Sequence, residues 1–157
     1  MIRPTSPGDT NALIEITRGT NVFKPMEIET LREVINDYFA VNRNHGHQCI
    51  TMQDDDSRIV GFAYYAPTAM TEQAWHLYWI AVRTGQQAKG LGAKLLAAVE
   101  EGIRAHKGRV LFIETSSLPH YEKTRQFYLK QKYDKEAVLR DYYAAGDDMV
   151  VFRKLLA

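Results

Sequence analysis

The sequence predicts an α/β fold, a mixed central sheet with helices covering its faces. Three observations predict it. Apolar residues recur at helical spacing in some stretches and gather into aromatic and β-branched runs in others. The two kinds of stretch alternate along the chain. A glycine-containing turn joins the strongest β run to a long amphipathic stretch.

The elements follow in order. Ser6-Pro7-Gly8-Asp9 reads as a turn ending in a helix N-cap, and Ala12, Leu13 and Ile16 then follow at helical spacing, so a helix is expected over 9–18. Ile28, Leu31, Val34, Ile35, Tyr38 and Phe39 form the wide apolar stripe of a second helix, with Pro25 just before it. Residues 48–52 and 59–66 read as strands, joined by the polar turn Asp54-Asp55-Asp56-Ser57 as a hairpin and stopped by Pro67. Trp75 to Val82 is the strongest strand candidate. Its alternation is expected to put His76, Tyr78 and Ile80 on one face and Trp75, Leu77 and Trp79 on the other. Leu91 to His106 carries Leu95, Leu96, Val99 and Ile103 on one helical face, with Gly102 weakening it slightly. Residues 109–114 form a buried type of strand and 121–130 a short helix. Short strands are expected at 137–139 and 149–152, joined by a loop through Tyr142 and Tyr143. The order reads β-α-α-β-β-β-α-β-α-β-β.

The bulk numbers narrow the function. A chain of 157 residues is expected to form one domain over 1–157. With 20 basic against 19 acidic residues the net charge is +1, which gives no electrostatic case for nucleic acid. Cys49 is the single cysteine, so no internal disulfide forms. No apolar run approaches the ~20 residues of a membrane helix, and the N-terminal residues lack the apolar stretch of a signal peptide. A cytoplasmic protein is expected, with no membrane partner.

The chemistry concentrates in Gln87-Ala88-Lys89-Gly90-Leu91-Gly92. A helix start offers unpaired N–H groups and the positive end of the helix dipole to an anion. Gly90 and Gly92 remove Cβ atoms that would hold a phosphate away from the backbone, and Lys89 adds a cation. Gln87 can bond either the loop or a ligand. The alternative is a plain β-α turn with glycines for tight packing. A dinucleotide turn would need a third glycine and a distal acid, and a nucleotide-triphosphate loop would need Gly-Lys-Ser/Thr, which is absent.

At these residues the chain resembles the GNAT N-acetyltransferase superfamily. Gln-x-x-Gly-x-Gly after Ile80-Ala81-Val82 is similar to that family's acetyl-CoA motif. Phe127-Tyr128-Leu129-Lys130-Gln131-Lys132-Tyr133 is similar to its later Phe/Leu-Tyr-x-x-x-Gly-Phe/Tyr segment, and residues 146–154 resemble the closing strand of small bacterial members. Tyr121 stands where the family often has Asn, and Lys132 where it usually has Gly. The resemblance implies a mostly antiparallel sheet and direct acetyl transfer from acetyl-CoA to a primary amine of a small molecule or peptide. It implies that the strand at 75–82 splays from its neighbour. The backbone of Ile80, Ala81 and Val82 would then meet the pantetheine, and the amides of Gln87, Ala88, Lys89, Gly90, Leu91, Gly92 and Ala93 the pyrophosphate. Thr115 is a further candidate contact for pantetheine or substrate, and Arg125 either meets a coenzyme phosphate or lines a solvated face.

By the same resemblance Tyr128 is the general acid. His76 occupies the position where some members place a catalytic Glu, and is the candidate base. Glu114 and a water chain are the alternatives. A core or cross-strand role competes for both Tyr128 and His76. An acyl-CoA sensor without turnover is the rival class. No metal is expected, because Asp54-Asp55-Asp56 lacks calcium-loop spacing and His45-Gly46-His47 lacks a third ligand. The acceptor site is expected from the first two helices, residues 19–26 and 67–74, and Tyr142-Tyr143. Asp147 and Asp148 there would suit a cationic amine, and exposed aromatics point to a homodimer.

Overall fold

A computed structural model describes residues 1–157, apart from the side chain of Ala88. β1 (Ile2–Pro4) is followed by two helices, α1 (Thr10–Gly19) and α2 (Pro25–Ala40). Next come β2 (Gln48–Gln53), β3 (Ile59–Pro67) and β4 (Ala74–Val82). Then follow α3 (Leu91–Ala105), β5 (Val110–Ser116), α4 (Glu122–Lys130), β6 (Asp134–Ala144) and β7 (Asp147–Leu155). The element order is the one the sequence predicts.

Among the described residues the strands form one sheet in the order β1-β2-β3-β4-β5-β7-β6. Every pair is antiparallel except β4 with β5. That parallel pair is joined by a crossover through α3, the kind of connection that parallel neighbours need.

Local chemistry accounts for the helix starts. Pro25 opens α2 at a position where its missing N–H costs nothing. The Glu27 carboxylate accepts the Lys24 N–H at 2.9 Å, which ties the chain to the first turn. The expected N-cap at Asp9 takes a different form. Asp9 turns back to accept the Ser6 N–H at 2.8 Å and pairs with Arg3 through two contacts of 2.7 and 3.0 Å. It thereby joins β1 to the start of α1.

The sheet has a core on each face. Leu13, Ile16, Leu31 and Ile35 of α1 and α2 pack on Phe62 and Tyr64. Leu95, Leu96, Val99 and Ile103 of α3 pack with Trp75, Leu77, Leu111 and Ile113 on the other face, joined by Tyr128 and Phe152. Each of the four α3 side chains is at most 1% exposed, worth about 1.5–3 kcal/mol apiece. Gly102 does more than weaken α3. A Cβ there would run into the Tyr65 hydroxyl, so glycine lets the helix lie close to the sheet.

Two expectations are corrected. The late strands are longer than their apolar segments, and Tyr142 and Tyr143 lie within β6 instead of in a loop. β6 is an edge strand and almost wholly exposed, so it lacks the alternation that marks a half-buried strand. The face alternation of β4 also fails beyond Leu77. Tyr64 pairs with Trp79 and Tyr65 with Leu77, which leaves Tyr78 as the extra residue of a β-bulge. Trp79 and Ala81 therefore face α1 and α2, while Ile80 and Val82 join Trp75 and Leu77 against α3.

Candidate active site

β4 and β5 run side by side only from Ala74–Val110 to Leu77–Ile113. Beyond that point β4 continues along β3 to Val82, and β5 continues along β7 to Ser116. The two parallel strands thus part, and the β4 edge from 78 to 82 faces a cleft with backbone donors and acceptors left to pair. The bulge at Tyr78 sits at the parting and adds local twist there.

At the far end of the cleft the turn before α3 is held firmly. The Arg83 guanidinium donates twice to Ile59 O at 3.0 Å and once to Glu15 at 3.0 Å. Gln87 Nε2 donates to Val82 O at 3.2 Å, so this side chain serves the loop. Gly90 opens α3 at φ 73°, a left-handed conformation that a Cβ would strain, and nothing lies within 4 Å of where that Cβ would be. The N–H groups of Leu91, Gly92 and Ala93 have no partner within the helix. Lys89 is exposed beside them. At Gly92, by contrast, a Cβ would meet the Phe127 ring at 3.5 Å, an ordinary contact. The Ala88 side chain lies outside the described residues. An unpaired strand edge leading to a helix start with open space in front of it fits an extended ligand that ends in phosphates.

Where β4 and β5 part, His76, Leu77, Tyr78, Glu114 and Tyr143 line an open pocket of about 160 Å³. His76 Nδ1 is 2.6 Å from Thr68 Oγ1, and its Nε2 is 3.9 Å from Glu114 Oε2. The Thr68 N–H is tied to Ala74 O at 2.8 Å, which fixes the hydroxyl across the β3–β4 connection. The His76 ring stacks on Tyr78 at 5.7 Å.

Tyrosines and carboxylates from distant segments converge beside this pocket. Burial pushes the Tyr143 phenol up to about 12, and Glu114, Tyr142, Asp147 and Glu27 add to the shift. Burial pushes Tyr121 up to about 12 as well, helped by Glu27, Asp147 and Tyr143. Both stay protonated and uncharged beside the side chains of Glu27 and Asp147, with Glu114 near Tyr143. Tyr121 donates to Val22 O at 3.1 Å, so the α1–α2 connection borders the same region. Asp147 is buried and accepts the Ser116 hydroxyl, while Asp148 accepts the Asp141 N–H at 2.8 Å. Sequence reasoning missed Tyr78, Glu27 and Tyr121. The bulge and the long-range packing that recruit them leave no local pattern.

Tyr128 is 3% exposed, with its ring against Phe127, Tyr133 and Phe152. Its hydroxyl makes no hydrogen bond among the described residues, where no fully buried side-chain polar atom lacks a partner. The oxygen is therefore not completely enclosed. Burial raises the phenol's pKa, which keeps its proton in place at neutral pH. Thr115 is buried on β5, with its hydroxyl 3.3 Å from Ser116 O. Arg125, a candidate for a coenzyme phosphate or for a solvated face, donates to Ser116 O at 2.7 Å, Leu118 O at 3.0 Å and Glu122 at 2.7 Å. It braces the chain after β5. Asp54 Oδ1 accepts the amides of Asp56 and Arg58, and His47 Nδ1 lies 2.6 Å from the Tyr64 hydroxyl. Among the described residues no three His, Cys, Asp or Glu side chains cluster to hold a metal, and no helix is long and apolar enough to cross a membrane.

A family model described as the acetyltransferase (GNAT) family matches residues 12–133. A crystal structure from Desulfovibrio desulfuricans, described as that of an acetyltransferase of the GNAT family, is 35% identical. It superposes with a TM-score of 0.94 over 100% of this chain and 99% of the other. A ribosomal-protein-alanine N-acetyltransferase from Brucella melitensis is 20% identical, with a TM-score of 0.80 over 99% of each chain. An aminoglycoside 6'-N-acetyltransferase complexed with coenzyme A is 18% identical, with a TM-score of 0.79 over 100% of this chain and 97% of the other. The last two show likeness of fold alone. No curated protein sequence matches significantly.

Proposed function

The chain belongs to the GNAT acetyltransferase family, whose donor is acetyl-CoA, and on that premise we propose that it acetylates a primary amine of a small molecule or peptide in the pocket where β4 and β5 part. The observation that carries this reading is the meeting of His76 and Glu114 beside the unpaired β4 edge. Acetyl-CoA supplies an acyl group already activated as a thioester.

The backbone of Ile80, Ala81 and Val82 and the amides from Gln87 to Ala93 are the groups that would hold the donor, with Thr115 alongside. His76 takes a proton from the incoming ammonium through Nε2. For that, Nδ1 must carry the other ring proton and donate it to Thr68 Oγ1, which the 2.6 Å contact allows. Glu114 then steadies the imidazolium across 3.9 Å. The nitrogen–carbon bond forms as the carbon–sulfur bond breaks, and Tyr128 gives its phenolic proton to the sulfur. The nitrogen loses two protons in all. One leaves through His76 to solvent, and the other makes good the proton that Tyr128 gave up.

Thiol release from acetyl-CoA, followed across alkylamines, amino acids, aminoglycosides and lysine peptides, tests this. Turnover with at least one class is expected. Tyr128→Phe should lower kcat about 10²-fold while the KM for acetyl-CoA stays within about twofold. Full activity in that variant removes Tyr128 from the chemistry. Binding of acetyl-CoA with no amine-dependent release would leave an acyl-CoA sensor.

A further inference from the structure

Tyr78 is more than half exposed and lines two pockets. The first is the pocket of His76 and Glu114. The second, of about 180 Å³, lies toward the C-terminal part of α2 and includes Asp37, His47, Tyr64 and Trp79. A row of rings runs from one to the other. His47 and Tyr64 are 5.7 Å apart, Tyr64 and Tyr78 6.5 Å, and Tyr78 and His76 5.7 Å. The bulge is what turns Tyr78 into the shared wall.

The lining of the second pocket has one sign of charge. Asp37 is exposed and carries a carboxylate. His47 faces the Tyr64 hydroxyl at 2.6 Å, and burial lowers its pKa, so it adds no positive charge near neutral pH. Trp79 and Tyr78 offer aromatic surface. A carboxylate beside aromatic rings is a site for an alkylammonium, held by charge and by the ring faces.

We propose that the second pocket binds a second cationic group of the acceptor, which makes the preferred acceptor a linear diamine with one amine at His76 and Glu114 and the other at Asp37. This rests on the reading of the first pocket as the place of amine acetylation. The intervening methylenes lie along Tyr78. Selectivity then comes from the distance between two pockets on one sheet face, and a monoamine forgoes the Asp37 contact.

The test compares kcat/KM for a series of α,ω-diaminoalkanes with that for alkylamines of equal length. The best diamine should exceed its monoamine by about fivefold to thirtyfold. Asp37→Asn should bring that ratio close to one, chiefly through KM for the diamine. Equal use of diamine and monoamine by the wild type overturns the proposal, as does an unchanged ratio in the variant. Equilibrium dialysis of a labelled diamine without donor separates the two readings. Binding that Asp37→Asn weakens, without turnover of any amine, upholds the subsite and removes the acetylation reading. Absence of both binding and turnover overturns the subsite too.

Discussion

The 2.6 Å contact between Thr68 Oγ1 and His76 Nδ1 leaves Nε2 as the nitrogen that faces Glu114 and the pocket. His76→Ala should lower kcat/KM by about 10²-fold. It should also change the pH dependence of the rate, because an imidazole accepts a proton only in its neutral form. An unchanged pH–rate profile would exclude His76 and leave Glu114 or water as the base. His76 and Tyr128 were legible in the sequence as candidates because each holds a fixed offset from a motif. Thr68 was not, since nothing local says that its hydroxyl crosses the β3–β4 connection. Arg125 shows the converse. Its residue type suits a phosphate, and only the fold reveals that its donors reach Ser116 O and Leu118 O. Lys132 stands where the family usually has glycine and adopts φ 71°, so the turn keeps the shape that glycine favours despite a Cβ.

Helix α3 binds the sheet through one face and presents its first turn to the cleft. Its position depends on Gly102, where the Tyr65 hydroxyl occupies the space of a Cβ. On helix propensity alone Gly102→Ala would stabilise by about 1 kcal/mol. The collision with a tyrosine 2% exposed should reverse the sign, for a net loss of about 1–2 kcal/mol. Adding Tyr65→Phe should recover most of that loss relative to Tyr65→Phe alone, read by denaturant unfolding. A gain in stability from Gly102→Ala by itself would refute this packing. Strand β4 holds the matching lesson. Its composition marked it as a strand, yet a single extra residue at Tyr78 exchanged the faces of Trp79 and Ile80. Bulges arise from pairing with a partner strand, and the strand's own residues do not announce them. β6 was underestimated for a related reason. An exposed edge strand carries charges such as Asp134, Lys135 and Glu136 on both faces, and those break the period of two.

Across the whole molecule, the order of helices and strands was legible because each element carries its own periodicity. The order of strands in the sheet was not, because β7 inserts between β5 and β6 through contacts remote in sequence. The parting of β4 from β5 is a property of that assembly, and both the proposed donor cleft and the proposed acceptor pocket depend on it. Its splay was expected from the family resemblance, not from any feature of Tyr78 to Val82. Hydrogen exchange of the backbone amides, with and without saturating acetyl-CoA, tests most directly whether the cleft holds the donor. Slower exchange should appear in 78–82 and in 91–93, the strand edge and the first turn of α3. Saturation by acetyl-CoA with both segments exchanging as before would contradict it.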